Sequence, residues 1–520
     1  METSLEPDAP SVSRPDRQTT RFAGPAWFGA VSVALSFGIS ELVAGALGAP
    51  SLIQGVADWV VDSAPAGVKD WAISTFGTND KPALLIGIVV VGMLLGGVVG
   101  LLSRRRVEPA IVAFGAFGIL GATATASNPA AGTTVPWLVA IVSVAAGVVA
   151  FRWLLARTQS SAGLPIGGAD PSRRSFLQAT SIGGLALLSA AVGRALFSSN
   201  RASASQQSEV IVNPGTNAVP AAAAFDNVEG ITPLVVPNAD FYRIDTAIVV
   251  PRVDLDGWTL SFSGMVDNPY SINFEELMDL PMVERYVTLS CVSNEVGGPL
   301  VGNARWLGVP LKDLLDRAGV QAGADQLVAR SVDDFTVGFP TAAALDGREA
   351  LLAVGMNGEA LPLEHGFPAR LVVSGLYGYV SATKWIREIE LTTWDGFDAY
   401  WIPRGWSKEA PIKTQSRIDT PARRIEAGEH YIAGVAWAPN VGIARVEIEV
   451  DNGGWQDAEL TEPLSEDAWV QWRLLYDFEV GSHQIRVRAT DATGFVQGEN
   501  QIPPAPNGAE GWHTVSVTVA

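Results

Sequence analysis

Apolar residues concentrate in the first 200 positions of this 520-residue chain. Uncharged or nearly uncharged runs occupy Phe22–Ala49, Pro82–Leu102, Pro109–Ser127, Val135–Leu155 and Phe176–Phe197. Each run is close to the ~20 residues that a helix needs to cross the hydrocarbon of a bilayer. The pattern therefore predicts a helical transmembrane region over residues 22–197 with five membrane-spanning helices.

Arginine residues flank these runs unevenly. They are Arg14, Arg17 and Arg21 before the first run, Arg104 to Arg106 after the second, and Arg152, Arg157, Arg173 and Arg174 between the fourth and the fifth. The positive-inside rule assigns such loops to the cytoplasm. We therefore expect residues 1–21 to form a cytoplasmic tail of a multi-pass cell-membrane protein, with everything after the fifth helix on the extracytoplasmic side.

The fifth run carries a second signal. The segment SRRSFLQ, Ser172–Gln178, precedes a Gly/Ala/Leu-rich stretch and resembles a twin-arginine export signal. That pathway exports folded proteins, so the resemblance implies that a cofactor is inserted before export. The alternative is a plain positive-inside anchor that contains two arginines. Ala202–Ala204 has the small-x-small form of a signal-peptidase site, and the sequence leaves cleavage open.

The predicted membrane helices offer little redox chemistry of their own. All four histidines of the chain come after residue 200, so these helices cannot supply the paired imidazoles of a b-type haem. Gly92, Gly96 and Gly100 recur at four-residue spacing, which allows another helix to approach closely. We expect the helices to act as an anchor or a docking surface.

After residue 197 the pattern changes to that of a water-soluble protein. Residues 198–226 are rich in Ser, Ala, Asn and Gln and are typical of a linker. From 227 to 414, strand-like runs such as Trp258–Val266 and Tyr286–Val292 alternate with short helical ones such as Leu311–Gly319, which predicts an α+β domain. From 415 to 520, short alternating runs separated by turns predict an all-β immunoglobulin-like sandwich.

Composition narrows the chemistry. The formal net charge is −19, so a nucleic-acid partner has little electrostatic support. Cys291 is the only cysteine, which excludes an internal disulfide and a zinc cluster of several thiolates. This residue is either a small buried side chain or a reactive or metal-ligating thiol.

The middle domain carries the residues that favour a site. Cys291 ends a β-rich run, where a side chain can face a cleft. Glu364, His365 and Arg370 lie in one segment, and Lys384 follows an aromatic and glycine-rich loop. An anionic, phosphate-bearing cofactor requires arginine, lysine and the backbone amides of glycine turns. Each of these residues alone is explained as well by an ordinary position on the protein surface.

Five ordered motifs now resemble one family. They are Phe241-Tyr242-Arg243, TLSCVSNEVGG, GNARWLGVPLKDLL, MNGEALPLEHGFPARL and the dipeptide Lys384-Trp385. Together they resemble the sulfite oxidase family of molybdopterin enzymes, over about residues 227–520. In that comparison the sandwich is similar to the family's C-terminal dimerisation domain, which implies a homodimer.

The resemblance implies molybdenum and molybdopterin as cofactors, and two-electron oxygen-atom transfer as the reaction. Cys291 would be the thiolate ligand of molybdenum, a soft ligand for a sulfur-rich site. The other implied cofactor-binding residues are Tyr242, Arg243, Asp333, His365, Arg370 and Lys384. Arg243 and Trp406 join Cys291 as the implied catalytic positions.

Two departures from the family pattern bear on the substrate. Sulfite oxidases carry two arginines after the asparagine that follows their cysteine, whereas Glu295 and Val296 follow Asn294 here. A carboxylate at this position would repel a sulfite dianion. Trp406 matches the family's catalytic tyrosine, and an indole cannot replace a phenol as an acid. We therefore expect a small-molecule substrate that is neutral or less anionic than sulfite.

An aromatic cluster surrounds that position. It comprises Trp394, Phe397, Tyr400, Trp401 and Trp406. It serves either as packing for the sandwich domain, as a stiff interdomain linker, or as part of the wall of a substrate pocket.

The sequence contains neither a CxxCH haem motif nor the cysteines of an iron–sulfur cluster. We expect a separate electron partner, whether a cytochrome, a quinone or a membrane haem protein. Two other functions stay open. Cys291 and His365 could be the nucleophile and base of an exported hydrolase, or the exported part could be a cofactor-free binding and assembly module.

Overall fold

The computed structural model describes residues 17–65, 80–127, 133–160, 171–199 and 223–520, with isolated positions between 68 and 76. Most of the predicted linker lies outside these residues, as do Arg14 and the Ala202–Ala204 cleavage sequence. By its internal contacts the chain divides into two compact units, Met1–Arg201 and Ala202–Ala520.

The first unit is helical. Its described helices are α1 Arg17–Leu47, α2 Leu52–Ser63, α3 Asp80–Leu102, α4 Glu108–Ala126, α5 Val135–Ser160 and α6 Pro171–Ser199. Ser51 and Gln54 form a capping box that starts α2. Of these six helices, all except α2 contain a stretch long and apolar enough to cross a membrane, which gives five such stretches among the described residues. These five stretches coincide with the five apolar runs of the sequence.

Small residues bring the helices of this unit into close contact. A methyl group added to Gly29 of α1 would collide with the Gly96 carbonyl of α3. On another face of α1, Gly45 packs in the same way against the backbone of Gly193 in α6. The glycines at four-residue spacing in α3 therefore serve helix packing.

Two sheets form the centre of the second unit. The first has the order β2-β1-β10-β5-β6, with β1 parallel to β10 and the other pairs antiparallel. Its strands are β1 Thr259–Gly264, β2 Tyr270–Asn273, β5 Gln326–Ser331, β6 Thr336–Pro340 and β10 Ile386–Thr392. The second has the order β3-β4-β7-β8, with β9 paired to β7. Its strands are β3 Val283–Ser290, β4 Val301–Pro310, β7 Ala350–Met356, β8 Glu359–Ala360 and β9 Arg370–Val373.

Short helices complete this part of the unit, and side chains from both sheets share one apolar core. The helices are α7 Phe274–Met278, α8 Leu311–Ala318 and α9 Gly378–Ser381. Helix α8 confirms the helix expected in that segment, and it ends at Gly319, whose φ of +69° is the left-handed conformation that glycine adopts without strain. The β-rich domain with short helices fits the predicted α+β class.

Nine further strands form two sheets that enclose a separate apolar core. One sheet contains β11 Gln415–Thr420, β13 Gly428–Trp437, β16 Glu459–Leu460 and β17 Val470–Phe478. The other contains β12 Arg424–Ile425, β14 Ile443–Val450, β15 Trp455–Asp457, β18 Gly481–Asp491 and β19 His513–Val519. Trp469, fully buried, donates its indole N–H to the carbonyl of Leu234 at 2.8 Å and so ties this sandwich to the segment that leads into the central sheets.

Candidate active site

The cavity of the second unit lies where β3 ends. It contains about 800 Å³ of open space and is lined by side chains from the ends of several strands. Six of the eight site residues expected from the sequence line it: Tyr242, Cys291, Asp333, His365, Arg370 and Lys384. Residues that lie 142 positions apart in the sequence, from Tyr242 to Lys384, therefore meet in one place.

Cys291 is held by the loop that connects β3 to β4. Its backbone N–H donates to the Leu300 carbonyl at 2.9 Å, and its own carbonyl accepts from the Asn294 N–H at 3.0 Å. The thiol is buried at the wall of the cavity. Burial raises the pKa of the Cys291 thiol, so the protein alone keeps it protonated at neutral pH.

Arg370 is the most unusual charge in the cavity. It begins β9 and is buried, and it donates to the backbone carbonyls of Leu371 and His365 at 3.3 and 3.1 Å. Its guanidinium also lies over the Trp306 ring, 4.9 Å from the centroid. Among the described residues no carboxylate forms an ion pair with it, and burial lowers its pKa to about 10. A buried cation without a counter-ion is the signature of a site for an anionic ligand.

Lys384 and Arg243 share one carboxylate. The Lys384 ammonium lies 2.7 Å from Asp245 and donates to the Glu364 carbonyl at 3.0 Å. Arg243 lies 2.9 Å from the same carboxylate, but its side chain is more than a third exposed and does not line the cavity. Burial lowers the pKa of Lys384 to about 8. Two cations therefore share a single counter-ion, and Asp245 can neutralise only one of their two charges.

Asp245 is a site residue that the sequence reasoning missed. It lines the cavity and is almost fully buried, and it organises Arg243 and Lys384. The only sequence signal was its position two residues after Arg243. Its pairing with Lys384, 139 residues away, is a tertiary contact that spacing does not reveal.

Trp385, the neighbour of Lys384 in the chain, has an unusual backbone conformation. It has a φ of +50°, which is rare for a side chain of this size, and its indole N–H donates to the Leu363 carbonyl at 2.7 Å. The Lys384 ammonium lies 4.8 Å from the centroid of the Trp385 ring. The local backbone strain is thus associated with a cation placed in the cavity wall.

His365 is neutral in this environment. Its Nε2 lies 3.0 Å from the Asn238 carbonyl, which can only accept, so Nε2 carries the proton. Burial lowers its pKa to about 4, which leaves Nδ1 unprotonated at pH 7. The ring also packs edge-on against Phe241, 5.6 Å between centroids.

Asp333 lines the cavity from the turn that follows β5. Its carboxylate accepts from the Phe335 N–H at 3.4 Å. Burial raises the pKa of this carboxyl, so it offsets less of the positive charge than an exposed aspartate would. Tyr242 also lines the cavity, and desolvation raises the pKa of its phenol well above the usual range.

Trp406, one of the three implied catalytic residues, does not line the cavity. It is half-buried behind Trp401 and Tyr379, with ring centroids 6.4 and 5.8 Å away. Those two rings do line the cavity, together with Phe335 and Ile244. The aromatic cluster therefore contributes to the pocket wall through Trp401, while Trp406 supports that wall from the outside.

The sequence of this chain is similar to those of known proteins. Residues 247–401 match the model of the oxidoreductase molybdopterin binding domain. The chain is 28% identical to human mitochondrial sulfite oxidase over 341 residues, which is 55% of this chain and 62% of that protein. It is 33% identical over 176 residues to the uncharacterized oxidoreductase YuiH of Bacillus subtilis, which covers 33% of this chain and 85% of that protein.

This chain belongs to the sulfite oxidase family of molybdopterin oxidoreductases. The sulfane dehydrogenase SoxCD of Paracoccus pantotrophus has a related fold, with a TM-score of 0.50 and 24% identity over 60% of this chain and 90% of that one. The chain spans 62% of the length of the human mitochondrial enzyme. As a sulfite oxidase family enzyme it is an oxidoreductase, with molybdenum and molybdopterin as its cofactors.

The cavity of this sulfite oxidase family member fits that cofactor. The unmatched charge of Arg370 and the partly matched pair of Lys384 and Arg243 suit a phosphate-bearing pterin. No group of three or more His, Cys, Asp or Glu side chains in the described parts of the chain could hold a metal ion. A metal here would therefore depend on the cofactor for most of its ligands, with Cys291 as the protein donor in the cavity wall.

Proposed function

We propose that this protein is an exported, membrane-anchored molybdoenzyme that carries out two-electron oxygen-atom transfer on a small molecule other than sulfite. The observation that carries the proposal is the cavity, which is lined by one buried thiol, by Arg370 without a carboxylate partner among the described residues, and by Lys384 paired with Asp245. When bound, the cofactor supplies the two-electron redox change at molybdenum. The protein supplies binding, orientation and charge.

Cys291 is the proposed protein ligand of molybdenum. The β3–β4 loop fixes its backbone at both ends through hydrogen bonds to Leu300 and Asn294. Its thiol loses its proton when a metal binds, because a metal centre offsets the desolvation penalty that keeps the free thiol protonated. This assignment disfavours the hydrolase alternative, in which the thiol would need a lowered pKa and a histidine partner. His365 instead uses its protonated nitrogen to hold the Asn238 carbonyl.

Arg370 and Lys384 are proposed to hold the phosphate of the pterin, and Arg243, which is outside the cavity lining, is proposed to lie at the entrance of the cofactor site. Arg370 is fully charged at neutral pH and can satisfy its remaining donors only with a ligand or water. His365 and Tyr242 contribute a neutral ring and a neutral phenol to the cavity wall. The charged groups therefore bind the anion, while the neutral ones shape the pocket.

The substrate is proposed to be a neutral oxygen donor or acceptor, such as a sulfoxide. Trp401, Phe335 and Ile244 give the cavity an apolar wall. The arginines that follow the active-site asparagine in sulfite oxidases are replaced by Glu295 and Val296, and neither residue lines the cavity. Since Glu295 is exposed, its repulsion of sulfite is weaker than the sequence suggested, and the missing arginines carry the argument.

The helical unit is proposed to anchor the enzyme in the cell membrane with the cavity outside the cytoplasm. The five apolar helices and the arginine distribution support this topology. The Ser172–Gln178 segment supports twin-arginine export of an already folded, cofactor-loaded domain. The two-sheet sandwich is proposed to be the immunoglobulin-like dimerisation domain, and a separate electron partner is proposed because the sequence has no second redox-centre motif.

The substrate class can be tested with the detergent-solubilised full-length protein. Reduction of dimethyl sulfoxide or a methionine sulfoxide peptide, with reduced viologen as electron donor, should be detectable and should disappear in Cys291→Ser. Oxidation of sulfite with ferricyanide as acceptor should stay at the level of that variant. Robust sulfite oxidation without sulfoxide reduction would contradict the proposed substrate.

A further inference from the structure

The loop that holds Cys291 is also held from outside the central sheets. It runs from Cys291 to Leu300, and its ends are joined by the hydrogen bond between the two residues. Inside the loop, the Asn294 side chain accepts from the Leu300 N–H at 2.8 Å, and the Gly298 N–H donates to the Glu295 carbonyl at 2.9 Å. Nothing in these internal bonds fixes the tip of the loop, around Gly297 and Gly298, relative to the cavity.

Arg417 of β11 in the sandwich fixes that tip. Its Nη1 donates to the Gly298 carbonyl at 3.0 Å. Its Nε lies 2.6 Å from Asp419, and its Nη2 donates to the Thr232 hydroxyl at 2.7 Å. The side chain is about 10% exposed, so this interaction takes place away from solvent. Three of its nitrogens are thereby engaged, and the loop carbonyl is held by a guanidinium that cannot turn away without losing its other partners.

A second contact reaches the same tip from β19. Gly297 has a φ of +77°, and a methyl group at this position would collide with the ring of His513. The His513 ring is itself fixed, because its Nδ1 accepts from the Ile418 N–H at 3.0 Å. The tip is therefore hydrogen-bonded to Arg417 through Gly298 and packed against His513 at Gly297.

We infer that Arg417 is a positioning residue for the active site, which sets the place of the Cys291 sulfur by clamping the tip of its loop. The sandwich then has a role in catalysis in addition to any role in assembly. Arg417 does not line the cavity, so it acts through the loop and not on the substrate. The contact of Arg417 with the loop is a property of the polypeptide and does not depend on the proposed function. The effect of Arg417 on molybdenum does rest on the proposed role of Cys291 as the metal ligand.

The first test reads the clamp without metal. The full-length chain is produced in a host that does not make molybdopterin, and the rate of iodoacetamide alkylation is measured. Cys291 is the only thiol and is buried, so the rate follows the opening of its loop. Loss of a hydrogen bond from a charged donor should raise the open population, and with it the rate, by about tenfold in Arg417→Ala. Arg417→Lys should recover part of the protection.

Two further variants make the result specific. The double variant R417Q/D419N removes the clamp without leaving a buried lone carboxylate, so it keeps the test valid if Arg417→Ala does not fold. Arg473→Ala is the matched control, because Arg473 is also a sandwich arginine paired with a carboxylate, Glu459, and does not contact the loop. Alkylation of folded R417Q/D419N at the wild-type rate, or equal acceleration in the Arg473 control, would overturn the inference.

The second test reads the metal in loaded protein. At equal molybdenum content, the Mo(V) electron paramagnetic resonance spectrum of R417Q/D419N should show shifted g-values, while that of Arg473→Ala should match wild type. A spectrum identical to wild type in R417Q/D419N would refute the effect on the sulfur position. If wild-type protein contains no molybdenum, the proposed function fails, and the alkylation rates still decide whether the clamp exists.

Discussion

Replacement of Arg370 by methionine tests whether this residue binds the cofactor or stabilises the fold. Arg370 is buried and bonded only to backbone carbonyls among the described residues, without an ion pair. Burial lowers its pKa from 12.5 to about 10. A depression of that size corresponds to about 3 kcal/mol of penalty on the charged form at neutral pH. The unfolded state binds this proton more tightly, so the full penalty is present below pH 10.

Arg370→Met removes this penalty together with two hydrogen bonds and the contact with Trp306. Each lost hydrogen bond costs about 1 kcal/mol, which offsets most of the penalty that is removed. The free energy of unfolding of the cofactor-free variant should therefore equal that of wild type or exceed it by up to about 2 kcal/mol. Cofactor retention should change in the opposite direction. Loss of a charge-assisted bond to phosphate, worth about 1.5–3 kcal/mol, should weaken binding roughly tenfold to a hundredfold.

The assay measures denaturant midpoints of the detergent-solubilised, cofactor-free chain and the molybdenum content of loaded preparations. Arg305→Met is the control, because Arg305 lies 3.2 Å from Glu284 and its loss strands a buried carboxylate. That variant should lose about 3 kcal/mol of stability and keep its cofactor affinity. If Arg370→Met is destabilised as much as Arg305→Met and binds molybdenum normally, Arg370 is a structural residue and the reasoning is wrong.

Three other predictions concern pH, the pocket wall and the helices. Burial lowers the pKa of Lys384 from 10.5 to about 8, so on raising the pH the folded state releases this proton before the unfolded state does. The stability of the cofactor-free chain should therefore rise between pH 8 and 10.5, while retention of the cofactor should fall as the pH passes 8. Cofactor retention that does not change with pH would count against a contact between Lys384 and the phosphate. In kinetics with a sulfoxide substrate, Trp401→Ala should raise KM at least about fivefold, and Trp406→Ala should raise KM by a smaller factor, because Trp401 lines the cavity and Trp406 does not. A larger increase in KM for Trp406→Ala would mean that Trp406 binds the substrate. Gly29→Leu should disrupt the packing of α1 on α3, where the side chain would strike Gly96, and should lower the thermal stability of the solubilised protein; unchanged melting would mean that the two helices do not pack closely.

The elements that depend on local pattern could be predicted from the sequence. Apolar runs of about twenty residues became helices because helix length and bilayer thickness impose the same requirement. Strand-like runs became strands, and β3 Val283–Ser290 overlaps the run expected at Tyr286–Val292. These features require only neighbours in the chain.

The cavity could be predicted only through the family resemblance. Spacing alone does not show that Tyr242, Cys291 and Lys384 meet, since the contacts between them depend on which strands pair. The resemblance supplied that information for six residues. It also supplied Trp406, which the short turn Ile402–Arg404 and Gly405 place behind Trp401 instead of in the cavity.

The interactions that fix the charges were beyond the reach of the sequence. Asp245 pairs with Lys384 across 139 residues, and Arg417 reaches Gly298 across 119. The first contact joins two side chains and the second joins a side chain to a loop carbonyl, and neither leaves a periodic trace in the sequence. Their residue types are common on surfaces, so composition did not distinguish them.

The most direct test of the central claim is the molybdenum and pterin content of the full-length protein from a cofactor-producing host, measured for wild type and Cys291→Ser. The account predicts about one molybdenum and one pterin per wild-type chain, bound in the cavity that Cys291 lines. It predicts that a folded Cys291→Ser variant loses turnover and its wild-type molybdenum spectrum. Well-folded wild-type protein without molybdenum or pterin, or a Cys291→Ser variant with the wild-type molybdenum spectrum, would contradict it.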